Sequence, residues 1–126
     1  MTEHPLLIVD AANVVGSVPD GWWRDRRGAT ERLRDLLVAI ATDGPAGVPG
    51  PCEVVLVVEG HARGVSGVPG VEVVDSPGSG DDRIVEVVAA ARDRVAYVVT
   101  ADRELRARVG RLGARVLGPS AVRGRS

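Results

Sequence analysis

Residues 6–10, Leu-Leu-Ile-Val-Asp, constrain the fold more than any other stretch. An unbroken apolar run without alternation reads as a strand buried on both faces, the pattern of a parallel sheet covered by helices. It stops at a carboxylate, Asp10, and an amide, Asn13, follows three places later. The arrangement recurs. Residues 54–58, Val-Val-Leu-Val-Val, end at Glu59, and residues 96–100, Ala-Tyr-Val-Val-Thr, lead to Asp102. In open parallel α/β sheets ligands bind at the carboxyl ends of the strands. Strands that each end in an acid therefore predict one shared acidic pocket.

The segments between these strands carry helical spacing. Trp22, Ala29, Leu33, Leu36, Leu37 and Ile40 predict a helix from Trp22 to about Thr42, closed by Asp43-Gly44-Pro45, with Gly28 weakening its first turns. Residues 14–21 read as a loop, and so do residues 60–70, a flexible Gly-rich stretch with His61 and Arg63. A short third strand covers residues 71–74. Asp81 and Asp82 open a helix bearing Ile84, Val85 and Val88, and residues 102–112 form another, capped by Gly113 before a fifth strand at residues 114–117. This alternation predicts a three-layer α/β/α sandwich with a mainly parallel five-stranded sheet. At 126 residues it forms one domain, residues 1–119, with a disordered tail at 120–126.

Composition narrows the classes of function. No apolar run approaches the ~18 residues of a membrane span, and the N-terminus lacks a signal peptide's basic start and long apolar core. A lone cysteine, Cys52, excludes an intramolecular disulfide or a cysteine zinc cage and fits the reducing cytoplasm. The net charge of −1 does not announce a nucleic-acid binder. Its distribution says more: Arg103, Arg106, Arg108, Arg111, Arg115, Arg123 and Arg125 follow Asp102 against a single acid, Glu104. Such a quarter beside an acidic pocket can grip a phosphate backbone, which makes Arg103, Arg106 and Arg111 candidates for RNA contact. Of the paired tryptophans one caps the core, and Trp22 is the candidate for a stacking face toward a base.

Taken singly, the acids have ordinary roles: Asp81 and Asp82 as first-turn carboxylates, Asp102 as a helix cap, Glu59 as a loop residue. Asp10, directly after a buried strand, fits such a role least. Gathered together, Asp10, Glu59, Asp81, Asp82 and Asp102 would raise one another's pKa values unless a cation sat among them. Oxygen-only ligands favour Mg²⁺ or Mn²⁺, and a hard cation at strand ends suits phosphodiester hydrolysis.

Three stretches also resemble a known family. Val9-Asp10-Ala11-Ala12-Asn13-Val14, Gly80-Asp81-Asp82-Arg83-Ile84 and Val98-Val99-Thr100-Ala101-Asp102-Arg103-Glu104-Leu105 are similar to the NYN branch of the PIN-like nucleases, nearest its YacP-like members. The resemblance covers nearly the whole chain in the right order. It implies a PIN-like sheet of five parallel strands and a Mg²⁺- or Mn²⁺-dependent ribonuclease. Asp10 would then be the first-strand metal ligand with Asn13 as polar companion, Asp82 or Asp81 the helix-start acid, and Asp102 the acid after the fourth strand, with Thr100 beside it. Glu59 departs from the family, whose members tend to carry Asp there.

On this reading Asp10, Asp82 and Asp102 are catalytic, and Asp81 and Glu59 complete the metal set. The alternative is a catalytically silent PIN-like module that binds RNA or a protein partner. Other folds fit poorly. A haloacid-dehalogenase-type phosphatase needs an acid where Ala12 stands, a toprim fold needs a downstream Asp-x-Asp, and a dinucleotide-binding domain needs glycines after the first strand. A receiver domain needs a lysine, and the chain has none. His61 reads as an exposed loop histidine. A chain this short could also take its specificity from a protein partner.

Overall fold

The computed structural model describes residues 4–123; the side chain of His61 lies outside the described set. β1 (Leu6–Asp10) leads into a short helix α1 (Ala11–Val15), and a 3₁₀ turn at Trp22–Arg24 precedes the long α2 (Arg26–Asp43). Next come β2 (Glu53–Val58), a second 3₁₀ turn at Gly60–Ala62, β3 (Val71–Asp75) and α3 (Gly80–Ala90). The chain closes with β4 (Ala96–Val99), α4 (Arg103–Gly110), β5 (Arg115–Leu117) and α5 (Ser120–Arg123).

All neighbouring strands run parallel, in the order β3-β2-β1-β4-β5. β1 is central and buried along its whole length, which is why it needs no polar alternation. Side-chain direction alternates along a strand, and here it sorts two cores. Leu7 and Val9 pack with Val14 of α1 and Leu33 and Leu37 of α2. Leu6 and Ile8 face the other way, onto Ile84 and Val88 of α3 and Leu105 and Val109 of α4. Each fully buried Leu, Ile or Val contributes roughly 1.5–3 kcal/mol. The expected three-layer α/β/α sandwich is what forms.

The strand order also fixes where a ligand can enter. The chain steps outward from β1 to β2 and β3, then crosses back to lay β4 and β5 on the other side. The ends of β1 and β4 therefore flank the topological switch point, the crevice in which such sheets bind ligands.

Several local expectations are corrected. Residues 11–15, read partly as loop, form α1, because Asp10 caps it by accepting the Asn13 N–H. The long helix starts at Arg26 rather than Trp22, since Asp25 accepts the Gly28 N–H at 2.9 Å and serves as its N-cap. Gly28 permits that cap: a Cβ there would lie 2.2 Å from the Asp25 carboxylate. The loop after β2 is tethered, with Arg27 and Arg34 donating to the carbonyls of Gly64 and Ser66, both at 2.9 Å, and Val65 buried. The tail expected at 120–126 is in fact helical over Ser120–Arg123, where Val122 is buried among the α2-side core and Arg123 donates to the Val14 carbonyl. Residues 124–126 lie outside the described residues. No helix among the described residues is long and apolar enough to cross a membrane.

Candidate active site

Asp10 closes β1 and is only 5% exposed. The Thr100 hydroxyl donates to Oδ2 at 3.0 Å, and the Asn13 backbone N–H reaches Oδ1 at 3.4 Å. The Asp10 carboxyl is raised to about 6, chiefly by burial and to a lesser degree by the Asp81 and Glu59 carboxylates, against the downward pull of its two hydrogen bonds.

Thr100 is wholly buried, and its hydroxyl is used in both directions. It donates to Asp10 and accepts the Asp102 N–H at 3.2 Å, so its hydrogen has one place to point. The Thr100 carbonyl accepts from Arg106 Nε at 2.8 Å. Asn13 contributes differently from expectation. Its backbone bonds Asp10, while its side-chain oxygen accepts the Ala101 N–H at 2.8 Å and staples α1 to the loop after β4. Asp102 is half-buried and caps α4, its Oδ1 accepting the Leu105 N–H at 3.0 Å.

The second pair of acids comes from the other side of the crevice. Glu59 follows β2 and accepts the Gly80 N–H at 2.8 Å, tying the end of β2 to the start of α3. A Cβ at residue 80 would sit 2.5 Å from that oxygen, so glycine permits the approach. Asp81, in the first turn of α3, has its carboxyl raised chiefly by burial, then by Asp102 and Glu59 and least by Asp82, while Arg108 opposes the rise. Its neighbour Asp82 behaves otherwise. Asp82 is exposed and pairs with Arg108 at 3.0 Å.

Asp81 thus lies within electrostatic reach of Asp10, Glu59 and Asp102, and Glu59 also acts on Asp10, whereas Asp82, expected as the catalytic helix-start acid, acts on Asp81 alone among these acids and is turned to solvent. The reason lies in α3: Ser79 caps the helix, and the Ile84 and Val88 stripe sets its rotation. That rotation gives Asp81 the inward position. Among the described residues no three His, Cys, Asp or Glu side chains converge on a single metal-holding point. Their oxygens are instead partly engaged by Thr100, Gly80 and the α4 backbone.

The donors nevertheless suit a hard cation. They are all carboxylate oxygens, and none of the effects acting on Asp10 comes from a positive side chain. Mg²⁺ commonly takes one or two protein carboxylates and keeps several waters, so it does not require three to converge.

The expected RNA-contact arginines separate. Arg103 is exposed at the start of α4, next to Asp102. Arg106 is half-buried and committed to the Thr100 carbonyl. Arg111 caps the opposite end of α4, roughly 12 Å further along the helix and away from the acids. Trp22 is half-buried against the α2-side core, edge-on to Trp23 at 5.9 Å, with the Arg26 guanidinium 5.5 Å from its ring centroid. Arg26 was missed from sequence. The signal was present in Asp25, whose capping preference places Arg26 in the first turn of α2 beside Trp22.

No protein-family profile matches the chain, and no curated protein matches it. Among solved structures it is similar to Rae1 (YacP) from Bacillus subtilis, in its W164L mutant form, with a TM-score of 0.76 at 19% identity. That alignment covers 94% of this chain and 72% of the other. At this identity the likeness is one of fold: the chain shares the α/β architecture of a YacP protein, built on a five-stranded parallel sheet.

Proposed function

We propose that this protein is a metal-dependent ribonuclease that hydrolyses RNA phosphodiester bonds at the ends of β1 and β4. The observation that carries the reading is Asp10: a buried carboxyl raised to about 6, with the Asp81 and Glu59 carboxylates acting on it, at the switch point of the sheet. A fold keeps so costly an arrangement where charge is put to use. The fold likeness to Rae1 (YacP) agrees with it, as do the three stretches that resemble motifs of YacP-like PIN-like nucleases.

Asp10 and Asp81 would hold Mg²⁺ or Mn²⁺, with Asp102 and Glu59 beside them, and Asp81 takes the role expected of Asp82. The bound cation supplies an activated water and neutralises charge on the phosphate. Thr100 fixes the Asp10 carboxylate by its hydrogen bond and, through the Asp102 N–H, couples it to the start of α4. Arg106 positions Thr100 from behind. Asn13 holds α1 against the loop after β4. Arg103, exposed beside Asp102, meets the RNA phosphates.

The silent binding-module reading draws on one observation, the lack of a converging trio of ligands among the described residues. Incubation of single-stranded and hairpin RNA with Mg²⁺ or Mn²⁺ separates the two. Cutting that EDTA abolishes supports the ribonuclease; RNA retained on a gel shift but left intact would replace it with the binding module.

A further inference from the structure

A cavity of about 190 Å³ opens beside the acids, on the α2 side of the strand ends. Val15 and Ala62 give it a buried apolar lining, and Trp22, Thr30, Arg26 and Glu59 also face it. The Thr30 hydroxyl donates to the Arg26 carbonyl at 2.8 Å, so toward a ligand it can only accept. Trp22 is held in place by the core behind it and by Trp23, and Arg26 lies over its ring.

Size limits the occupant. Sites for drug-sized ligands run to roughly 300–1,000 Å³. At ~30 Å³ per water, this cavity holds the equivalent of roughly six waters, enough for one planar heterocycle but not for the sugar attached to it. An indole beside a guanidinium is the kind of surface on which an unstacked base settles, and such contacts are indifferent to the rest of the strand. Location supplies the link to chemistry. Glu59 belongs both to this cavity and to the acid set, since its charge acts on Asp10 and Asp81. Glu59 is therefore the point at which the cavity adjoins the acids.

We propose that this cavity receives one splayed-out base of single-stranded RNA, recognised by Trp22 and Arg26, and so sets which phosphate meets the acids. The last clause rests on the ribonuclease reading; base capture does not. A duplex cannot deliver an unpaired base, so the substrate class is single-stranded.

The test is an abasic walk. Labelled single-stranded RNA heptamers, each with one abasic nucleotide at a different position, are titrated with the protein in EDTA and followed by fluorescence anisotropy. One position is expected to weaken binding about tenfold, within the range of a base–aromatic stack, and the others much less. In Arg26→Ala, whose side chain is exposed, and in Trp22→Leu, the special position should lose its penalty. Arg26→Ala keeps the test valid should Trp22→Leu fail to fold. A uniform loss at every position, a penalty that survives Arg26→Ala, or no RNA binding at all would each overturn the proposal. Cleavage of the intact heptamer in Mn²⁺ is scored separately. Cutting with a flat walk removes the pocket and leaves the ribonuclease, whereas a position-specific penalty without cutting does the reverse.

Discussion

Thr100 and Asp10 meet across the junction of β4 and β1, the hydroxyl donating to Oδ2 at 3.0 Å although the residues are 90 positions apart in the chain. The parallel register that pairs Val9 with Val99 brings the two strand ends level. Both residues then continue the face of the sheet occupied by Ile8 and Val98, toward α3 and α4. A buried carboxylate and its donor are thereby supplied by the two strands that border the switch point.

Removing that donor should be felt at Asp10. In Thr100→Val the Asp10 carboxyl is expected to titrate above its present value of about 6. The variant should lose about 1.5–3 kcal/mol of stability at pH 8, the usual worth of a hydrogen bond to a charged group. Carboxyl-detected NMR titration and urea unfolding read the two effects. An unmoved Asp10 titration would show that the hydroxyl does not hold it.

Metal-free stability should fall with pH through the same group. The folded-state value of about 6 stands above the ordinary 3.8, so between them the folded protein keeps a proton that the unfolded chain has released. The contribution is complete below the lower value and lost as pH rises through the upper, a cost of about 3 kcal/mol by pH 8. In EDTA, Asp10→Asn should remove this part of the slope and leave the variant more stable than wild type at pH 8. Parallel pH profiles for the two proteins would refute the assignment.

Asp81 and Asp82 are adjacent in sequence but differently placed, and their variants should differ accordingly. Asp81→Asn is expected to slow RNA cleavage by about 100-fold or more, the scale of losing one electrostatic contact to a developing charge. Asp82→Asn breaks only an exposed pair with Arg108, worth about 0–1 kcal/mol, and should leave the rate within a few fold. Equal losses in single-turnover assays would erase the distinction.

The arginines of α4 should also separate. Arg103→Ala is expected to weaken RNA binding and lower its salt slope by about 1. Arg111→Ala should change neither. Arg106→Ala should reduce stability by about 1 kcal/mol through the lost bond to the Thr100 carbonyl, with the salt slope intact. Binding titrations across a range of salt concentrations, beside urea unfolding, check all three.

The sheet was legible because unalternated runs such as residues 6–9 and 54–58 have few other stable uses, and the acids at their ends marked one edge of it. Hydrophobic spacing could not place the helix boundaries. Trp22 lies in phase with Leu33 and Leu37 yet belongs to a separate turn, because the Asp25 cap and Gly28 decide where α2 begins. The orientation of Asp81 against Asp82 depended on the packing of α3 on β1, β2 and α4, which adjacent identical residues cannot reveal. Arg106 looked like a surface charge, but its partner is a carbonyl six residues back in the chain, brought within reach only by the fold. The final turn escaped notice because Ala121 and Val122 are too short an apolar run to show a period, and the burial of Val122 depends on α2 being there to meet it.

The central claim is that Asp10 stands at the centre of an RNA-cleaving metal site. Its most direct test compares wild type with Asp10→Asn on one single-stranded RNA in Mn²⁺, with circular dichroism confirming that both are folded. The expected result is cleavage by wild type that EDTA stops, and a loss of at least about 100-fold in the variant. Cleavage by folded Asp10→Asn at the wild-type rate would contradict the claim.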